Sequence, residues 1–122
     1  MPAYDYALLR AVDVPAGDCV TVGVILHCRQ ARYLGLRLAD ARGAADRLGL
    51  DERLLAIALE GVRRVSEGGA SGGPVGRLPA SERFHFLTAV RSTALQASPV
   101  RTGTADDPAG ALDEIAQTVH AG

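Results

Sequence analysis

The chain has no lysine; all thirteen of its basic residues are arginine. Lysine chemistry, such as a Schiff base, is thereby excluded, and every cationic contact must be a planar, permanently charged fork suited to carboxylate or phosphate. Aromatic residues are scarce, at 4% of 122. The core is left to Leu, Val, Ile and Ala, and a stacking platform for single-stranded nucleic acid, which needs several exposed rings, is not expected. Nor does one sign of charge dominate. The formal net charge of −1 offers no basic field to recruit nucleic acid or a membrane surface. Two cysteines, Cys19 and Cys28, are too few for a disulfide framework or a zinc site of their own. No signal peptide and no apolar run of membrane-spanning length is present, so the expected compartment is a reducing cytoplasm. What remains is a length that suits a single domain, residues 1–122, able to fold without staples.

Periodicity organises the first third into strands. Tyr4 to Val12 alternates with period two, with Tyr4, Tyr6 and Leu8 pointing one way. Pro15 and Gly17 mark a turn. Cys19 to Leu26 is β-branched and apolar on both faces, the pattern of a strand covered twice. Gly23 within it implies a bulge or a close backbone approach. Cys19 and Cys28 stand at the two ends of this strand, on opposite faces by parity, and so do not pair. Cys19 reads as an inert core thiol and Cys28 as more exposed. Arg32 to Leu38 reads as a third strand of an antiparallel meander.

The period then changes to that of helices. Ala39 to Leu48 is Ala- and Arg-rich and stops at Gly49. Asp51 is a good N-cap for a helix to about Glu67, with Leu54, Leu55, Ala58, Leu59, Val62 and Val65 as its apolar stripe. Residues 68–73 are glycine-rich and predict a flexible loop within the domain. Ser81 is expected to cap a short helix from Glu82 to about Thr88. Thr93 to Ala97 predicts a short strand, and Asp106, Asp107 and Pro108 open a final helix. The predicted class is α+β: a small antiparallel sheet of three to four strands, with three to four helices packed mainly on one face.

Polar chemistry concentrates between Arg91 and Gly103. Arg91 and Arg101, with Arg77 and Arg83 shortly before, supply four forks within twenty-five residues. Ser92, Thr93, Ser98, Thr102 and Thr104 add hydroxyls, Gln96 both donates and accepts, and Gly103 permits a tight turn whose amides could face an anion. These are the parts of a phosphate or carboxylate site. A P-loop is excluded, since its lysine and glycine spacing are missing. The candidate ligand-binding residues are Arg83, Arg91, Ser92, Thr93, Gln96, Ser98, Arg101 and Thr102. The alternative for the same stretch is a Ser/Thr-rich loop whose hydroxyls satisfy backbone. His27, His85 and His120 are scattered, without metal-ligand spacing, and no metal or cofactor is expected. His85, one helical turn after Glu82, is the candidate acid–base residue, with His27 as its rival.

Four separated stretches carry a family resemblance. They are Tyr4-Asp5-Tyr6-Ala7-Leu8-Leu9-Arg10, then Val20-Thr21-Val22-Gly23-Val24-Ile25-Leu26, then Pro79-Ala80-Ser81-Glu82-Arg83-Phe84. The fourth runs from Arg91-Ser92-Thr93 through Gln96 and Ser98-Pro99-Val100 to Thr102-Gly103. In this order they resemble the bacterial family designated domain of unknown function 3037. The resemblance implies a small stand-alone cytoplasmic protein of no agreed biochemical function. Some members are encoded beside HipA-type kinase-like proteins, which implies a protein partner. Two positions depart from the family pattern: Thr21 stands where Asn is expected, and Arg101 where His is expected. A guanidinium does not titrate usefully, so Arg101 favours holding an anion over moving a proton. The leading expectation is therefore a binding or accessory module for an anionic group. An enzyme using His85 or His27 with arginine-stabilised charge is the second. A partner of a kinase-like or biosynthetic protein is the third.

Overall fold

A hairpin of two long strands anchors the molecule. β1 (Ala3–Asp13) and β2 (Asp18–Cys28) pair antiparallel. The turn between them closes with the Gly17 amide donating to the Asp13 carbonyl at 2.9 Å. β3 (Tyr33–Leu38) returns along β2 after a turn closed by Arg32 N–H on the Arg29 carbonyl at 3.1 Å. The structure is a computed structural model describing residues 1–92 and 94–121, the side chains of 120 and 121 excepted. Two short strands share the other edge of β1: β4 (Leu95–Ala97) along residues 9–11 and β5 (Arg101–Thr104) along residues 3–6. The sheet order is thus β3-β2-β1, with β4 and β5 end to end on the far side.

One irregularity shifts the pairing within the hairpin. Leu9 faces Gly23, whereas Arg10 faces Thr21, so Val22 is an extra residue and the register steps by one. This is a β-bulge. Glycine suits the site for a steric reason: a Cβ on Gly23 would lie 2.8 Å from the Leu38 side chain and 3.2 Å from the Arg37 carbonyl oxygen. Parity reverses across the bulge. Cys19, opposite Val12, and Cys28, within the cluster around Val24 and Leu26, therefore share one face of the sheet rather than opposite faces. Their burial also reverses the expectation, for Cys19 is exposed and Cys28 buried; both are free thiols.

Helices cover both faces. α1 (Ala41–Leu48), α2 (Glu52–Glu67), α3 (Gly73–Gly76) and α4 (Ala80–Thr88) lie on the face bearing Ala7, Leu9, Ala11 and Ile25. α2 starts where Asp51 accepts the amides of Arg53 and Leu54, at 2.9 and 3.3 Å. It buries Leu55, Leu59, Val62 and Val65, each such side chain contributing about 1.5–3 kcal/mol. Leu54, expected in that stripe, is instead exposed. Gly49 ends α1 in the left-handed region at φ 68°, where a side chain would be strained. α5 (Pro108–Ala121) lies alone on the opposite face and sets Leu112 and Ala116 on Val24, Leu26 and Cys28, flanked by Tyr4, Tyr6 and Tyr33. An ion pair from Arg37 of β3 to Asp113, at 2.7 Å, ties α5 down and raises the arginine pKa.

The α+β class is as expected, but five strands and five helices replace three to four of each. β5 escaped because Arg-Thr-Gly-Thr has no apolar alternation. α3 escaped because glycine-rich sequence disfavours helix. Residues 68–73 end α2, form a 3-10 turn (Ala70–Gly72) and begin α3, with the Gly69 amide on the Gly76 carbonyl at 2.7 Å. Among the described residues no helix is long and apolar enough to cross a membrane.

Candidate functional site

The polar stretch 91–103 is mostly sheet edge, and its hydroxyls serve the backbone. Ser98 is 3% exposed. Its Oγ accepts the Leu8 amide at 2.8 Å and donates to the Pro99 carbonyl at 3.1 Å, while its own amide donates to the Leu8 carbonyl at 2.7 Å. The hydroxyl thus completes the ladder where β4 breaks off before Pro99, which has no amide to give. Ser92 closes the preceding turn, its Oγ accepting the amides of Ala94 and Leu95 at 3.3 and 2.9 Å and donating to the Leu95 carbonyl. Among the described residues Gln96 reaches only the Ser92 carbonyl, at 3.5 Å. Gly103 is no turn residue: it lies in β5 opposite Tyr4, whose ring occupies the space a side chain would need. Thr93 lies outside the described residues.

The arginines do not converge. Arg83 is anchored structurally: its Nη1 donates to the carbonyls of Val65 and Ser66 at 3.1 and 2.7 Å, and its Nε to that of Leu78 at 2.9 Å. A cation there meets the negative end of the α2 dipole. Arg91 is exposed, with Nη1 turned back on the Val90 carbonyl. Arg101 faces Tyr6 across the ladder, on the α5 side, in a cavity it shares with Glu114 and Thr118. Thr102, one residue on, faces Asp5 and therefore points to the other side of the sheet. Alternation alone separates Arg101 from Thr102.

That other side holds a cleft. Asp5, His27, Arg29, Ser81, Phe84, His85, Ala3 and Val100 line a cavity of about 440 Å³. β1, β2 and α4 build it. Asp5 and His27 are direct cross-strand partners, and Thr102 extends the same row on β5. Ser81 and His85 are four residues apart and so share one face of α4. The His27 ring lies 5.7 Å from that of Phe84, tilted by 31°.

His27 is the unusual member. It is 9% exposed and makes no hydrogen bond among the described residues, in which no sealed side-chain nitrogen or oxygen lacks a partner. Its ring nitrogens therefore reach solvent through the cleft. Burial pushes its pKa below the ordinary value; Asp5 opposes this, while His85, Arg29 and Arg83 reinforce it. At neutral pH the ring is uncharged, one nitrogen donating and the other accepting.

Positive charge on the wall comes from Arg29, which makes no ion pair among the described residues. The first turn of α4 adds to it. No side chain caps this helix, and Pro79 rather than the expected Ser81 stands at its N-cap. The Pro79 carbonyl takes the amides of Glu82 and Arg83. Those of Ala80 and Ser81 stay without an intrahelical acceptor, as in any first turn. The arrangement suits hydrogen bonding to a small polar molecule with an anionic end. Among the described residues no group of three or more His, Cys, Asp or Glu is placed to hold a metal.

Of the expected site residues, His85 lines this cleft and Thr102 stands in its row; Arg83, Arg91, Ser92, Gln96, Ser98 and Arg101 do other things. Asp5, Arg29 and Ser81 were missed. Asp5 sits in a strand and Ser81 is expected as a helix cap, and no spacing in the chain joins them.

Fold and cleft together define a small α+β protein with a polar, partly basic cleft between a hairpin and a helix N-terminus. The chain belongs to the family described as "Protein of unknown function (DUF3037)", whose model matches residues 6–119. No curated protein and no solved structure was found to match it. Three of the four stretches that carry the resemblance meet at the cleft, through Asp5, through Ser81 and Phe84, and through Val100.

Proposed function

We propose that the protein is a small binding module for an anionic group, phosphate or carboxylate, held in the cleft of His27, Arg29, Ser81 and His85 rather than on the 91–103 stretch. The observation that carries this is His27. Its ring is mostly buried, yet its nitrogens have no protein partner and open into the cleft, so a ligand that replaces cleft water there gains hydrogen bonds without breaking any within the protein. Arg29 supports the reading as a cation with no ion pair. Inorganic phosphate at a hundredfold excess over its Kd stabilises the native state by about 2.7 kcal/mol, a rise read by thermal shift. At the same phosphate concentration Arg29→Ala cuts the rise to about half or less. Absence of any rise in the wild-type protein, with phosphate and acetate alike, ends the proposal.

A second reading has one observation in its favour. A neutral His27 stands directly across from the Asp5 carboxylate, within reach of its field though not hydrogen-bonded to it, with His85 lining the same cavity, and so has the surroundings of a general base. Under that reading His27→Gln abolishes turnover of a bound substrate while binding persists. The partner reading rests on α2, where Leu54 and Ile57, one turn apart, are 64% and 67% exposed. Co-purification with a kinase-like neighbour, lost in Leu54→Asp, is its test. We place the protein in the cytoplasm, where thiols such as Cys19 persist reduced.

A further inference from the structure

The cleft has a negative wall as well as a positive one. Asp5 is half-buried, lines the cavity, and has neither a hydrogen-bond nor an ion-pair partner among the described residues. Its ladder neighbours are Thr102 on one side and His27 on the other. Arg29 lies two residues beyond His27, in the turn that follows β2. The cavity therefore takes a carboxylate and an imidazole from facing positions of the hairpin, and a guanidinium from the turn that follows β2, with Ser81 of α4 lining the same space.

A bare anion suits only half of this arrangement. Seated near Arg29 and Ser81, it leaves Asp5 unpaired and is repelled by it. A cation alone suits only the other half. We infer, building on the anion reading above, that the ligand is a small zwitterion, with its phosphate or carboxylate at Arg29 and Ser81 and its ammonium at Asp5. His27 lies between the poles and hydrogen-bonds the body of the ligand, while Phe84 and Val100 take its methylene stem. The separation of Asp5 from Arg29 by a strand and two residues favours poles joined by a short chain rather than sharing one carbon.

Four probes test this by titration calorimetry on the intact protein: inorganic phosphate against phosphoethanolamine, and butyrate against γ-aminobutyrate. Each pair matches an anion with its zwitterion, and the two pairs distinguish a phosphate from a carboxylate as the anionic pole. At least one zwitterion is expected to bind tenfold or more tightly than its matched anion. Asp5→Asn is expected to abolish that preference while anion binding is kept. Equal affinity within both pairs, or a preference that survives Asp5→Asn, overturns the inference and leaves the anion reading standing. Binding by none of the four overturns both. Should Asp5→Asn fail to fold, Asp5→Ser serves the same comparison, and the wild-type preference remains decisive by itself.

Discussion

The stretch 91–103 and the cleft around His27 contain similar side chains in opposite situations. In the stretch, Ser98 and Ser92 bond backbone amides, and with Arg83 nearby on carbonyls, most polar groups already have partners. In the cleft, His27, Asp5 and the exposed Arg29 have no protein partner among the described residues and meet solvent instead. Polar density along a sequence measures demand for hydrogen bonds. A binding site is where the protein itself leaves that demand to solvent, and so to a ligand. Small polar residues cluster at a broken sheet edge because the break itself creates orphan amides, so the denser region is the less available one.

Substitutions sharpen the contrast, the largest effect first. Ser98→Ala leaves the Leu8 amide unpaired in a buried ladder and is expected to cost about 2 kcal/mol in urea unfolding, with phosphate affinity unchanged. Arg83→Gln loses charged bonds to two carbonyls at the end of α2 and to that of Leu78, and costs about 1.5 kcal/mol, again without touching affinity. Arg29→Ala does the reverse: phosphate binding weakens tenfold or more, about 1.4 kcal/mol, while the urea midpoint holds.

His27 gives a pH signature. Its native pKa is depressed by burial, so below the unfolded value of about 6.5 the unfolded chain takes up a proton that the native state resists. Stability therefore falls as pH drops from 7 through 6.5 and below. His27→Phe flattens that decline without lowering stability at pH 7, and equal slopes in the two proteins would break the argument. Smallest of all, Arg91→Ala and Arg101→Ala are expected to change stability by under about 0.5 kcal/mol and affinity not at all. Loss of phosphate binding in either returns the site to the 91–103 stretch.

Much of the fold was legible because its signals are local. The Asp51 cap, the period-two alternation of β1 and the acid-rich start of α5 each occupy a handful of consecutive residues. The two-sided apolarity of β2 was read correctly as double cover, yet helices were expected mainly on one face. Val24, Leu26 and Cys28 already required something like α5 opposite the others. The cleft was illegible for a different reason. Asp5, His27, Arg29, Ser81 and His85 come from β1, β2, the turn after it and α4, and only the strand pairing and the seating of α4 unite them. Glu60 shows the converse. Arg63 and Arg64 on the next turn hold its pKa down to about 2, a strong perturbation on an exposed helix face whose charges are all engaged with one another.

The bulge at Val22 and Gly23 divides the hairpin into two reading frames. On the turn side, facing residues sum to 31; beyond the bulge they sum to 32, as Asp13 with Asp18 and Asp5 with His27 illustrate. Were the first frame to run on, Leu26 would face Asp5 and the imidazole would lie on the α5 side, among Leu112 and the tyrosines. One inserted residue thus decides which compartment of the protein owns the histidine. A single-residue deletion at position 22 would act as a frameshift written in backbone geometry, exchanging the contents of the two cores from Gly23 onward and emptying the cleft of its central group.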